Sequence, residues 1–247
     1  MVSLPIPSSL DSLSYHQLAA PGGQTYGQVM DELKVTPRTP TNGAHFDPDL
    51  VSAARPRCTG WKPSLGQIGS AAGHLRNQGV TVGDVFLFYG WFRQTIRIGG
   101  TLRYSQAPDL HAIFGYMEVA EVIAAHGSAP LPPWLADHPH ALPARRAAST
   151  NTVYVAADKL RLRDPKPGAG VFFFQDALAL TKPGQSRGRW GLDASLFQHL
   201  KISYHDQGSW RDGYFQSYPR AQEYVIHADA RAIDWALDLI CNSVRWA

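Results

Sequence analysis

The chain has 247 residues, 44% of them hydrophobic and 17% charged, a balance that excludes a disordered chain and places it among globular proteins. Its formal charge of +3 permits local contacts with phosphate but falls short of the concentrated basic footprint of a dedicated nucleic-acid binder. No run reaches the roughly 18 apolar residues of a membrane span, the opening MVSLPIPSSL lacks the basic and apolar regions of a secretory signal, and Cys58 and Cys241 read as separate reduced thiols, so a cytoplasmic protein with no membrane association is expected.

No Pro/Ser-rich or charged stretch is long enough to be a linker, and one domain over residues 1–247 is expected. Met1 to Pro7 alternates like a short lead-in strand, confined to an edge by Pro5 and Pro7. Thr25 and Gln28 form a capping-box pattern, and Tyr26, Val29, Met30 and Leu33 follow at helical spacing up to the breakers Pro37 and Pro40. Thr41 to Leu50 then gathers His45, Asp47 and Asp49 within five residues, a set suited to metal ligation or acid–base work. Asp-Pro-Asp is equally a turn and helix-start sequence in which Asp47 caps the residues around Leu50.

Gly66 to Gly79 reads as a glycine-rich loop entering a helix near Ser70 and closed at Gly79, with Gly69 and Gly73 letting the helix pack closely on a sheet. Its spacing matches neither the dinucleotide fingerprint nor the P-loop. Val82 to Ala124 organises the chain. Asp84 to Arg93 and His111 to Ala124 are two apolar runs rich in Val, Ile and aromatic residues, joined through turns at Gly99-Gly100 and Pro108-Asp109, and both read as central strands covered on two faces.

Gly127 to Ser149 carries five prolines and predicts a long irregular loop. Within it His138-Pro139-His140, in extended backbone, would send both imidazoles to one side, where a third group from His45, Asp47, His199 or His205 could complete a divalent-metal site. Histidines that serve only as loop hydrogen-bonding residues give the same pattern. Asn151 to Ala156 and Gly170 to Phe174 are further strands, and Gln222 to His227 a last one. Asp229 caps a final helix that buries Ile233, Ala236, Leu237, Ile240 and Val244. Strands that follow one another without regular helical crossovers predict an α+β fold, with a central mixed or largely antiparallel sheet of about five or more strands flanked by helices and long loops.

Taken together, SLPIP at Ser3 to Pro7, AHFDPDL at Ala44 to Leu50, VGDVFLFYGWFR at Val82 to Arg93, HAIFGYMEV, HPH, NTVYVA and RAQEYV at Arg220 to Val225 resemble the nucleotide modification associated domain 3 family nearly end to end. The resemblance implies an α+β domain of bacteria and phages that takes part in modifying bases or nucleotides, and it brings no mechanism with it. Family members carry a segment ahead of SLPIP resembling SRKGFDS, and this chain starts after it. The Val82-Gly83-Asp84 triplet before an aromatic strand also looks like a piece of the PUA-like modified-base readers.

Three functions are therefore weighed. An enzyme acting on a nucleobase or nucleotide would use His45, Asp47, His138, His140 and Glu223 as acid–base groups, with His45, Asp47, His138 and His140 also able to hold a divalent metal. A binding module would stack a base on Trp91, Tyr116 or Trp190 and hold phosphate or base edges with Arg93, Arg97, His205 and Arg220. A structural subunit of a phage or defence system would show neither cluster and a large exposed apolar patch.

Overall fold

The computed structural model describes residues 1–35, 43–161, 166–218 and 223–246, Trp246 by its backbone alone. The N-terminal strand forms only at Ile6–Ser8 (β1) and pairs antiparallel with Gly43–His45 (β2), so the stretch that carries His45 is anchored on an edge ribbon. Between them lies the expected helix α1, Tyr26–Leu33. Thr25 and Gln28 form the capping box at its start, and Tyr26, Val29 and Met30 are buried on its inner face. Pro37 and Pro40 lie outside the described residues.

Ser64–Ile68 is a strand (β3) rather than the loop expected from its glycines, and it runs directly into α2, Gly69–Asn77. Gly69 makes the junction with φ +63°, which favours glycine. Gly73 does not mediate close packing, because a Cβ built there meets no atom within 4 Å. Gly73→Ala should therefore raise stability by about 0.5–1 kcal/mol through helix propensity, measured as a shift in urea midpoint. An unchanged or lower midpoint would mean that the position is more crowded than it is here.

Val85–Phe92 (β4) and Leu110–Ala124 (β7) pair antiparallel from Val85 opposite Glu118 to Phe92 opposite Leu110. The hairpin of Thr95–Ile98 (β5) and Thr101–Tyr104 (β6) between them turns at Gly99-Gly100. β7 is the hub. It also pairs with Asn151–Ala156 (β8) from Val119 to Ala124 and with Ala169–Phe172 (β9) at Gly115–Met117, while β8 pairs with β3. The sheet has six strands, all paired antiparallel once Arg245–Trp246 joins β9. β4 corrects the expectation of two central strands: it is an edge, paired to β7 alone. Its two faces are nonetheless both covered. Phe86 and Phe88 pack on one core with Tyr26, Phe46, Leu65 and Met117, whereas Val85, Leu87 and Tyr89 pack on another with Ile113, Tyr116, Phe172 and Trp190. Packing against a core on each face over much of their length is why these strands lack polar alternation.

The proline-rich segment is not wholly irregular. It folds as single 3₁₀ turns at Pro133–Leu135 and Pro139–Ala141 and the short helix α3, Pro143–Arg146. The remaining chain builds a small antiparallel sheet from Arg189–Trp190 (β10), Trp210–Arg211 (β11) and Tyr214–Gln216 (β12), with α4 at Ala194–Phe197. No strand forms over residues 223–227. Ile226 makes a lone bridge to Ile202, Val225 N–H donates to Ser203 Oγ, and Tyr224 turns into the rings of Tyr89, Trp190 and His205. The last helix, α5 at Ala230–Asn242, is capped by Asp229 as expected, but its buried residues are Ala232, Leu237, Leu239 and Ile240. Ile233 is largely exposed and Val244 lies beyond the helix, because α5 rotates toward α4, where Trp235 meets Phe197 edge-on.

Candidate functional site

Asp47 lies at the centre of a cluster drawn from three parts of the chain. β2 delivers His45 and, two residues on, Asp47; the 3₁₀ turn at Pro139–Ala141 delivers His138 as its N-cap and His140 within it. His140 Nε2 is 3.3 Å and His45 Nε2 3.8 Å from Asp47 Oδ2, while His138 Nε2 is 3.7 Å from Oδ1. Gly66 of β3 donates its N–H to both carboxylate oxygens, at 3.0 and 3.1 Å. Asp47 is thus not a helix cap: the following 3₁₀ turn has Val51 as N-cap with no side-chain bond, and Asp47 looks across to the sheet instead. Its neighbour Asp49 is bound by both nitrogens of Arg57 at 2.6 Å and belongs to the fold.

The backbone that presents the two imidazoles is a tight turn, not the extended chain expected. His138 Nδ1 accepts the N–H of His140 at 3.1 Å. His140 Nδ1–H donates to Asn151 Oδ1 at 2.6 Å, and that amide is oriented by its own donation to the carbonyls of His140 and Ala125. His45 Nδ1 faces Asp11 Oδ2 at 3.3 Å, a contact that misses hydrogen-bond alignment. Asp11 is in turn clamped by Arg145 through two bonds of 3.0 and 2.5 Å. Asp11, Arg145, Asn151 and Gly66 were not among the residues singled out in the sequence. None of the four gave a functional signal beyond its residue type.

Burial sets the protonation states. It pushes His138 down to about 4 and lowers His45 as well, the second against the pull of Asp47. Burial alone would raise Asp47, but the adjoining His140 and His138 rings and the Gly66 N–H outweigh it, and the carboxyl is held below its ordinary value. His45 and His138 are thus held toward the neutral form beside an Asp47 held toward the ionised one. The ligand atoms of His45, Asp47 and His140 all lie within 4.8 Å of one another. His45 is the cluster's opening, its side chain 18% exposed against 3–4% for the other three.

The other residues singled out for function lie elsewhere. Glu223 makes no contact with the cluster and belongs to the segment that inserts Tyr224 into the second core. Tyr116 is fully buried, its hydroxyl donating to Pro167 O and accepting from Arg245, and Trp190 is buried with its Nε1 donating to His111 Nδ1, so neither ring presents a face to a base. His205 packs among Phe215, Tyr218 and Tyr224. Arg97 ties the β5–β6 hairpin to α1 through Gln24 and Glu32. Trp91 is 58% exposed, with Arg187 stacked 3.8 Å from its ring centroid, and Arg93 stacks at 3.9 Å over Tyr104. Arg220 lies outside the described residues.

A six-stranded antiparallel sheet between two cores, with a polar His/Asp cluster where β2 and β3 meet a proline-rich loop, makes this an α+β fold whose cluster is presented by loops held on strands. The nucleotide modification associated domain 3 family matches residues 1–227, and the chain belongs to that family. No curated protein and no solved structure matches it. Among the described residues no helix is long and apolar enough to cross a membrane.

Proposed function

We propose that the protein is an enzyme that modifies a nucleobase or nucleotide, with the cluster around Asp47 as its reactive centre. The observation that carries this reading is the convergence of His45, Asp47, His138 and His140, from two distant polar segments, on one buried carboxylate in a chain of the nucleotide modification associated domain 3 family. Groups that only terminate turns have no reason to meet, and a buried carboxylate ringed by imidazoles is a competent acid–base set. Substrate reaches it over the exposed edge of His45. Incubation with nucleosides, nucleotides and single- and double-stranded DNA, followed by mass analysis of the digested products, should show a mass change that Asp47→Asn slows by about 10²–10⁴-fold. Absence of product across the panel, or an Asp47→Asn protein as active as wild type, would sink the proposal.

A second reading rests on the outer end of β4. There Trp91, Arg187, Arg93 and Tyr104 form two exposed guanidinium–ring stacks joined by Asp109, which accepts from Trp91 Nε1 at 2.7 Å. Such a surface suits base stacking with phosphate held by Arg. As a binding module it would give modest, salt-sensitive affinity, lost in Trp91→Ala and untouched by Asp47→Asn, which separates it from the first reading.

A further inference from the structure

We infer that His45 Nε2, Asp47 Oδ2 and His140 Nε2 are the three protein ligands of one divalent metal ion, and that His138 stands beside this centre as a proton donor and not as a ligand. The inference deepens the functional reading above and rests on the same cluster, but its test reads the metal alone.

The tautomers decide the matter. The Asn151 amide donates through Nδ2 to two carbonyls, so its oxygen is the atom that meets His140 Nδ1, and that nitrogen must carry the proton. His140 Nε2 is then a lone pair directed at Asp47 Oδ2. His45 repeats the arrangement: its Nδ1 faces the Arg145-bound carboxylate of Asp11, which favours the proton there and leaves Nε2 turned toward the same Oδ2. Two imidazole lone pairs aimed at one anionic oxygen, away from water, repel it unless a positive charge lies between them. A single proton relieves one contact, whereas a divalent cation relieves both. The pattern of a metal-facing Nε2 with an outer acceptor at Nδ1 is how metal-ligating histidines are oriented. A tetrahedral ion with bonds of about 2.0–2.1 Å separates its ligand atoms by about 3.3 Å; the His140–Asp47 contact is already 3.3 Å, and the His45–Asp47 contact of 3.8 Å would close on binding.

His138 has the opposite polarity. Its Nδ1 is already an acceptor, so the neutral ring carries its proton on Nε2 and has no lone pair there to offer. The side chain that carries this N–H is only 4% exposed, and the nitrogen has no hydrogen-bond partner. It points at Asp47 Oδ1, the carboxylate oxygen left over when Oδ2 takes the metal, and a small rotation of the carboxylate would satisfy it. Two imidazoles and a carboxylate, with no thiolate, suit Zn²⁺ or Fe²⁺ over Mg²⁺, and three protein ligands leave a position open to substrate.

The test uses the full chain, stripped with a chelator and titrated with Zn²⁺ by calorimetry and with Co²⁺ by visible absorption. The expected result is about one equivalent of Zn²⁺ per chain, with affinity lost at least about 100-fold in His45→Gln, Asp47→Asn and His140→Gln. Asp11→Asn and Asn151→Ala, which remove only the outer partners, should weaken it about 10–100-fold. His138→Gln should keep the full stoichiometry. Absence of binding by wild type, binding indifferent to Asp47→Asn, or a His138→Gln protein as impaired as His140→Gln would overturn the inference. Should His140→Gln fail to fold, the wild-type Co²⁺ spectrum decides alone, four- or five-coordinate intensity supporting the centre and a six-coordinate aquo spectrum refuting it. Metal bound without turnover would remove the proposed enzyme and leave the centre; turnover by metal-free protein that resists chelation would do the reverse.

Discussion

Lowering the pH from 7 to 4 should cost the protein about 3 kcal/mol of stability at His111 alone, and His111→Gln should remove that part of the loss. His111 is fully buried in the second core, where its Nδ1 accepts the Trp190 indole N–H at 3.0 Å and its ring meets Tyr89 and Trp190 edge-on. Burial first, and the Arg187 charge second, push it down to about 4 from an ordinary 6.5. The unfolded chain therefore binds a proton that the folded one refuses. The stability contributed by neutral His111 is intact above about 6.5, declines as pH falls below that value, and is gone near 4, at about 1.4 kcal/mol per unit of displacement. Arg187 and the Trp190 donor both oppose the protonated ring. Urea unfolding of wild type and His111→Gln at pH 7, 5.5 and 4 checks this. Gln keeps an acceptor for Trp190, so a parallel loss in both proteins would show that His111 does not titrate in this window.

How far the sequence could be read depended on whether a residue's role is local. The α1 helix was legible because Thr25, Gln28 and the spacing of Tyr26, Val29 and Met30 are all within one short segment. β4 and β7 were legible as strands because residues covered on both faces are mostly apolar and rich in Val, Ile and aromatic side chains, although nothing in β4 distinguishes an edge from a centre. His45, Asp47, His138 and His140 stood out as chemical groups in polar surroundings, and the structure brings those four together. Asp11 and Asn151 could not have been found in that way. Each matters only through a partner remote in sequence, Asp11 through His45 and Arg145, Asn151 through His140. Aromatic residues failed for a related reason: Trp91, Tyr116 and Trp190 are alike in composition, and only packing separates the exposed ring from the two buried ones.

Gly66→Ala should cost about 1–3 kcal/mol or more and abolish the arrangement around Asp47. A Cβ at Gly66 would lie 2.2 Å from His140 Cδ2 and 2.3 Å from Cγ, distances at which one group must move. The ring cannot yield cheaply. It is held by the 2.6 Å bond to Asn151, which is itself fixed by two carbonyls, and it is buried. β3 cannot yield cheaply either, because Gly66 pairs with Val153 in the ladder and its N–H holds both oxygens of Asp47. Glycine at this position is thus a requirement of close approach between a strand and an imidazole, which a reading of Gly66 as a loop residue could not reveal. Gly66→Ala and Gly73→Ala should shift the urea midpoint in opposite directions. Gly66→Ala should also abolish Zn²⁺ uptake in protein that still folds at low temperature. A Gly66→Ala protein with wild-type stability and wild-type metal binding would mean that His140 is not pinned against the sheet, and the orientation of Nε2 toward Asp47 would lose its support.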